Sequence, residues 1–372
     1  METDVRETLR KRAQDPHIPT DIPDRVLDAA RRRMMATGLL TAVMIAGLGV
    51  GAAVGFRAIG RVPDGPAEPV VRPAQGRPAV IALGETKTGS GLALTIAADP
   101  AGVWVNLADE VVRVDPRTNK VTTRIPGPGF TGGIAVGFGS LWIADDAAVT
   151  RRDLHSGQER VRITLNPRRT GEGRRAIEIA AGEGAVWVAA GTGSGFAIDR
   201  IDPATDEVAA TIDVESFLSM TVGEDALWVF GRDNVVRIDA ATNRTTTWPR
   251  GEARLPAAAG GGYLWAPDGE PRLGQVSRIL RIDPASGRVS HEIDVAYAGP
   301  VVAGEGAIWA LDLQWPSGIL KIDPSTARVV QKVSLDLGRG PPSLHVGAGS
   351  IWVTRHEGSE QSTVTLLRFL LS

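Results

Sequence analysis

The chain has 372 residues, 44 of them Gly and 24 Pro, a formal charge of −2 and no cysteine. Near-neutrality excludes a bulk electrostatic footprint for nucleic acid, so none is expected as a partner. The missing cysteines exclude disulfides, thiolate metal sites, thiol nucleophiles and lipid attachment through an N-terminal Cys, while the Gly and Pro load suits many short strands joined by turns.

Residues 1–33 read as a short, partly helical cytoplasmic tail. The stretch 2–13 has helical composition, Asp15-Pro16-His17-Ile18-Pro19 breaks it, and Asp21 can cap a second helix with Pro23 in its first turn. Roughly 30 residues bury too little apolar area to fold alone, which suits a partner-binding or topogenic segment.

Residues 34–56 carry no charge. As a helix rising about 1.5 Å per residue they reach roughly 34 Å, enough for a ~30 Å hydrocarbon layer. The run is longer than the ~7–15-residue core of a cleaved signal peptide, so it predicts one uncleaved transmembrane signal anchor. Arg31, Arg32 and Arg33 abut its N-terminal end. The positive-inside bias therefore places the N-terminus in the cytoplasm and the rest outside, as a single-pass protein of the cell membrane. Gly47, Gly51 and Gly55 share one helix face, a spacing that permits self-association, although glycine is common in membrane helices anyway. Residues 57–77, with Pro63, Pro66, Pro69 and Pro73, have no apolar period and read as an extended tether.

From residue 78 to 372 a tryptophan recurs: Trp104, Trp142, Trp187, Trp228, Trp265, Trp309 and Trp352, at intervals of 37 to 45 residues. Each sits in one wording: an apolar run, Gly, a second small residue, apolar–Trp–apolar, a loop, then Arg/Lys-apolar-Asp. In IAAGEGAVWVAA (179–190), the first run is a strand, Gly182 and Gly184 make a tight turn, and the Trp strand returns. A third strand follows at 197–202, Asp202-Pro203-Ala204-Thr205-Asp206 forms a turn whose Asp accepts backbone N–H bonds, and a fourth strand covers 208–214. A four-stranded meander copied seven times at this period predicts an all-β, seven-bladed β-propeller of antiparallel blades. Apolar neighbours on both sides of each Trp predict packing between blades. After Trp352 only one strand remains, at 363–371, so the strand at 78–84 is expected to add to its edge and close the ring.

The wordings "VGFGSLWIAD", "AGEGAVWVAA…IDRIDPATDEV" and "AGEGAIWALD…ILKIDPSTARV" resemble YVTN-type and virginiamycin B lyase-like propellers over 78–372. The resemblance implies a seven-bladed propeller, often extracytoplasmic, and implies no single activity. The N-terminal "IPTDIPDRVLDAARRRM" with its anchor is similar to one-pass anti-sigma-factor-like regulators over roughly the first forty residues.

The Gly-x-Gly and Asp-Pro turns are uniform and fall on one face. The connections at 166–175, 248–255, 267–277, 312–318, 337–342 and 355–362 vary and fall on the other, where a protein or small-ligand site is expected. Arg168, Arg169, Arg174 and Arg175 form a basic loop that reads either as an anion contact or as a solvated loop. Trp315 lies off the repeat and is either a contact residue or a blade cap. His345 stands on an innermost strand where six blades carry Ala97, Ala135, Ala180, Thr221, Ala258 and Val302. It is either a titratable group at the channel mouth, where His356 and Glu357 could join it, or a histidine hydrogen-bonded between blades. A lyase of the resembled type needs a histidine base, carboxylates and a divalent metal converging on the channel. That pairing is not visible in the inner strands, so no catalytic residue is carried over. The leading expectation is a non-enzymatic binding or sensory module without a cofactor. The alternative is a metal-assisted lyase or hydrolase, and whether a metal binds stays open.

Overall fold

The computed structural model describes residues 77–86, 94–129, 133–145, 148–165, 175–192, 195–249, 257–268, 277–314, 317–338, 341–357 and 362–371. The tail, the span at 34–56 with Gly47, Gly51 and Gly55, and the tether lie outside these residues. Among the described residues no helix is long and apolar enough to cross a membrane.

The described residues form twenty-eight strands. β1 (Ala79–Thr86) stands apart from its blade in sequence. Blade one is β2 (Thr95–Asp99), β3 (Gly102–Asn106), β4 (Glu110–Asp115) and β5 (Lys120–Pro126); blade two is β6 (Ile134–Gly137), β7 (Ser140–Asp145), β8 (Ala148–Asp153) and β9 (Glu159–Thr164). Blade three is β10 (Arg175–Gly182), β11 (Ala185–Thr192), β12 (Gly195–Asp202) and β13 (Glu207–Val214); blade four is β14 (Ser219–Gly223), β15 (Ala226–Phe230), β16 (Asn234–Asp239) and β17 (Thr245–Pro249). Blade five is β18 (Ala258–Gly260), β19 (Tyr263–Asp268), β20 (Ser277–Ile282) and β21 (Val289–Val295); blade six is β22 (Ala298–Gly304), β23 (Ala307–Asp312), β24 (Gly318–Asp323) and β25 (Arg328–Ser334). Blade seven is β26 (Leu344–Gly347), β27 (Ser350–Glu357), β28 (Ser362–Leu370) and, as its outermost strand, β1.

Every blade is a four-stranded antiparallel sheet, and the first strands pack in a closed ring, β2–β6–β10–β14–β18–β22–β26–β2. The closing strand expected at 78–84 runs two residues further, because Gly84 at φ +124° carries the chain past a bulge and pairing resumes to Thr86. Ile81 and Leu83 are buried there in the core shared with blade one.

The seven repeat tryptophans are at most 2% exposed, as their two-sided apolar setting requires. Each pairs across the blade with a cation on the third strand: Arg113, Arg151, Arg200, Arg237, Arg281, Lys321 and Arg368. Five of these cations lie over their own Trp ring at 5.0–5.8 Å, and Arg281 lies over Tyr263 instead. In blades two to seven the indole Nε1 donates to the carbonyl five residues earlier, at Gly137, Gly182, Gly223, Gly260, Gly304 and Gly347.

Candidate functional site

The turn aspartates are turn-formers. Oδ1 of Asp115, Asp153, Asp202, Asp239, Asp283 and Asp323 accepts backbone N–H groups two or three residues on, at 2.7–3.0 Å. Hydrogen bonds from the turns' own backbone and hydroxyl groups hold the carboxyls of Asp115, Asp153, Asp239, Asp283 and Asp323 below the usual range.

His345 could have gathered with His356 and Glu357 at the channel mouth, but the strand register sets them apart. His345 pairs with Trp352, while His356 and Glu357 pair with Val364 and Thr363 at the other end of β27. Four residues of strand separate Trp352 from His356, about 13 Å at ~3.3 Å per residue. His345 therefore lies near the tight-turn end of the channel rather than at the variable-loop mouth. Its imidazole donates to the Ala98 carbonyl of blade one, and burial outweighs that bond and pushes it down to about 4. His356 is buried on the Trp352 side of β27, and desolvation lowers its pKa too. Glu357 is exposed and pairs with Arg355. Trp315, Arg168, Arg169 and Arg174 lie outside the described residues; Arg175 opens β10, and only its backbone is described.

Glu178 of β10, which reads as an ordinary strand residue in the sequence, is the second unusual inner-strand group. Its Oε1 accepts the Met220 N–H of blade four at 3.4 Å, and desolvation raises the carboxyl to about 7. Both inner-strand groups thus bridge blade junctions, and each other junction has its own polar tie. Trp104 Nε1 donates to the Leu154 carbonyl between blades one and two. Arg151 donates to the Pro203 carbonyl and Asp206 between two and three, both at 2.8 Å. Glu224 and Glu305, at turn tips, accept the N–H groups of Gly262 and Gly349 in the next blades. Arg281 donates to the Pro324 and Ser325 carbonyls between five and six.

Among the described residues the junction of blades seven and one carries the most. Beside His345, Arg368 donates to the Pro116 carbonyl and to Asn119 Oδ1, Ser343 donates to the Leu94 carbonyl, and Arg124 of β5 donates to the Leu83 carbonyl of β1. Over this seam, on the tight-turn face, lies an open pocket of about 810 Å³ lined by turns of blades six, seven and one and by Arg368. Its inner wall, Ala98 and Gly347, is backed by His345: a Cβ on Gly347 would stand 3.3 Å from the imidazole Nε2. Glu305, Asp99 and Arg117 supply its other charges. The sequence signal for the pocket was Asp99, which occupies the place held by Gly in the other six tight turns.

No family model and no curated protein matches the chain. Solved structures match it in fold. A chain of a mitotic checkpoint complex aligns at 14% identity, with 89% of this chain and 100% of that one covered and a TM-score of 0.58. The Pan2 WD40 domain of Neurospora crassa aligns at 11%, covering 79% and 97%, with a TM-score of 0.56. The quinohemoprotein alcohol dehydrogenase of Comamonas testosteroni aligns at 11%, covering 79% and 76%, with a TM-score of 0.52. The same propeller scaffold thus serves an enzyme and a member of a protein assembly, and at these identities the likeness is one of fold.

Proposed function

We propose that the chain is a membrane-anchored, extracytoplasmic propeller of the YVTN or virginiamycin B lyase-like type that binds a protein or small ligand, without catalysis, and signals through its anchor. One observation carries the non-enzymatic reading. The two inner-strand groups with displaced titration, His345 and Glu178, belong to blades seven and three, and each is spent on a backbone partner in the next blade. A general acid–base pair would have to converge on one reacting atom. The uncharged run at 34–56 and the arginines before it support the anchor and its orientation.

Protease treatment of intact cells carrying a C-terminal epitope tests the orientation. Loss of the epitope is expected, and its protection would overturn the outward placement. A photocrosslinking side chain in place of Gln314, on the variable-loop side of blade six, tests the binding role. Discrete adducts that persist in EDTA are expected. Metal-dependent turnover lost in His345→Gln, with the fold intact, would establish the lyase or hydrolase reading instead.

A further inference from the structure

We infer that the seam pocket on the tight-turn face binds a zwitterionic short peptide, its carboxylate held at Arg368 and Arg117 and its ammonium at Glu305 and Asp99. This site lies on the face opposite the variable loops, and the inference stands whether or not the chain is anchored.

Arg368 is built as a fixed donor. Its Nε donates to Ser350 Oγ at 2.9 Å, its Nη1 to the Pro116 carbonyl and to Asn119 Oδ1, and its plane lies 5.0 Å from the Trp352 ring. Those bonds occupy Nε and Nη1, which leaves the Nη2 amino group of a guanidinium that lines the pocket. The equivalent nitrogen of Arg281 is taken up by His291. A guanidinium fixed at two nitrogens presents the third as a preorganised, charge-assisted donor to one carboxylate oxygen. Arg117 stands beside it with its side chain 85% exposed and only a 3.8 Å contact to Asp115.

The carboxylates across the pocket are also half-used. Asp99 accepts the Ala101 and Gly102 N–H groups through Oδ1, and Glu305 accepts the Gly349 N–H through Oε1, so Oδ2 and Oε2 remain. The lining carries two cations and two carboxylates, with Asp115 next to both arginines, so it disfavours a simple polyanion and favours a ligand carrying both signs. Pro100, Pro116 and Ala348 supply apolar wall between the charges. The volume sits within the ordinary range for small-molecule sites, ~300–1,000 Å³.

The repeat also departs from its pattern at this wall. Blade one is the blade whose tight turn departs from the repeat: Asp99 replaces Gly, and Trp104 turns its Nε1 away from that turn to Leu154 of blade two. The departure falls where the pocket lies.

Calorimetric titration of the full-length protein in detergent with trialanine tests the inference. Saturable binding is expected, weakened at least tenfold when the peptide is N-acetylated or C-amidated and at least tenfold by Arg117→Glu, whose exposed position leaves the thermal melt unchanged. Arg368→Lys is expected to weaken binding as much, because the planar donor is lost. Inorganic phosphate is expected not to bind. Absence of trialanine binding, equal binding by Arg117→Glu, or binding of phosphate as tight as the peptide would each overturn it.

Discussion

The junction between blades seven and one and the junction between blades four and five solve one packing problem with different means. Blades four and five are consecutive in the chain and, among the described residues, share one tip bond, from Gly262 N–H to Glu224. At the junction of blades seven and one, three strands of blade seven come from the far end of the chain and β1 from just before blade one, and there the structure places Arg368, His345, Ser343 and Arg124 as donors to backbone carbonyls of the opposite blade. The chain passes from β1 directly into blade one, so the break in the ring lies inside blade seven, where strand pairing alone holds β1 to β28. The seam is where the described residues concentrate polar contacts that reinforce this closure, and one of them, Arg368, also lines the pocket above it.

Four changes would break or sharpen that contrast, from the largest expected effect to the smallest. Leu83→Ala removes a fully buried side chain from the closing strand. A loss of about 3 kcal/mol in urea unfolding is expected, as for other large-to-small core changes. Next, Glu178 and His345 titrate with opposite signs. Glu178 is raised to about 7 from the ordinary 4.5, so between those values the native state holds more protons and stability falls as pH rises. His345 is lowered from 6.5 to about 4, so the unfolded state holds more protons in that window and stability is lost as pH falls. Urea midpoints between pH 4.5 and 6.5 are therefore expected to rise with pH in Glu178→Gln and to fall with pH in His345→Gln, each by an amount on the order of 2 kcal/mol. Equal slopes in the two variants would contradict the assignment.

Arg368→Met at the seam is expected to cost ~1–2 kcal/mol more than Arg237→Met in blade four. Arg237 stacks on Trp228 and bonds Asp239 within its own blade, so the difference isolates the cross-junction bonds. Smallest, Phe138→Gly and Glu183→Gly should each raise the thermal midpoint slightly, by about 1 kcal/mol of stability, since both residues hold φ near +50° at turn tips where glycine is unstrained. No gain in either would mean that these side chains make contacts worth as much as the strain.

The fold was legible wherever a residue type has one local reason to recur. The tryptophans, the turn aspartates and the closing strand each follow from strand and turn chemistry, and the structure bears them out. His345 was visible only as a departure from an otherwise small or apolar column. Its partner, the Ala98 carbonyl, is a backbone atom, which leaves no mark in sequence. The cross-junction roles of Arg151 and Arg281 were hidden for the same reason: each is plainly the cation two before a turn Asp, but the carbonyls they meet belong to the next blade. Glu178 reads as an ordinary strand residue until the neighbouring blade desolvates it. The seam pocket draws on turns of blades six, seven and one, and only the replacement of Gly by Asp99 announces it. The variable loops, where sequence reasoning put the site, fall mostly outside the described residues.

Hydrogen exchange read by mass spectrometry compares the two regions most directly. If the ring is held closed at the seam, amides of β1 exchange no faster than those of β17, the outermost strand of blade four, and Arg368→Met accelerates β1 while leaving β17 unchanged. Exchange of β1 in the wild-type protein markedly faster than β17, or a uniform acceleration in the variant, would contradict a seam that closes the propeller through its own buried polar contacts.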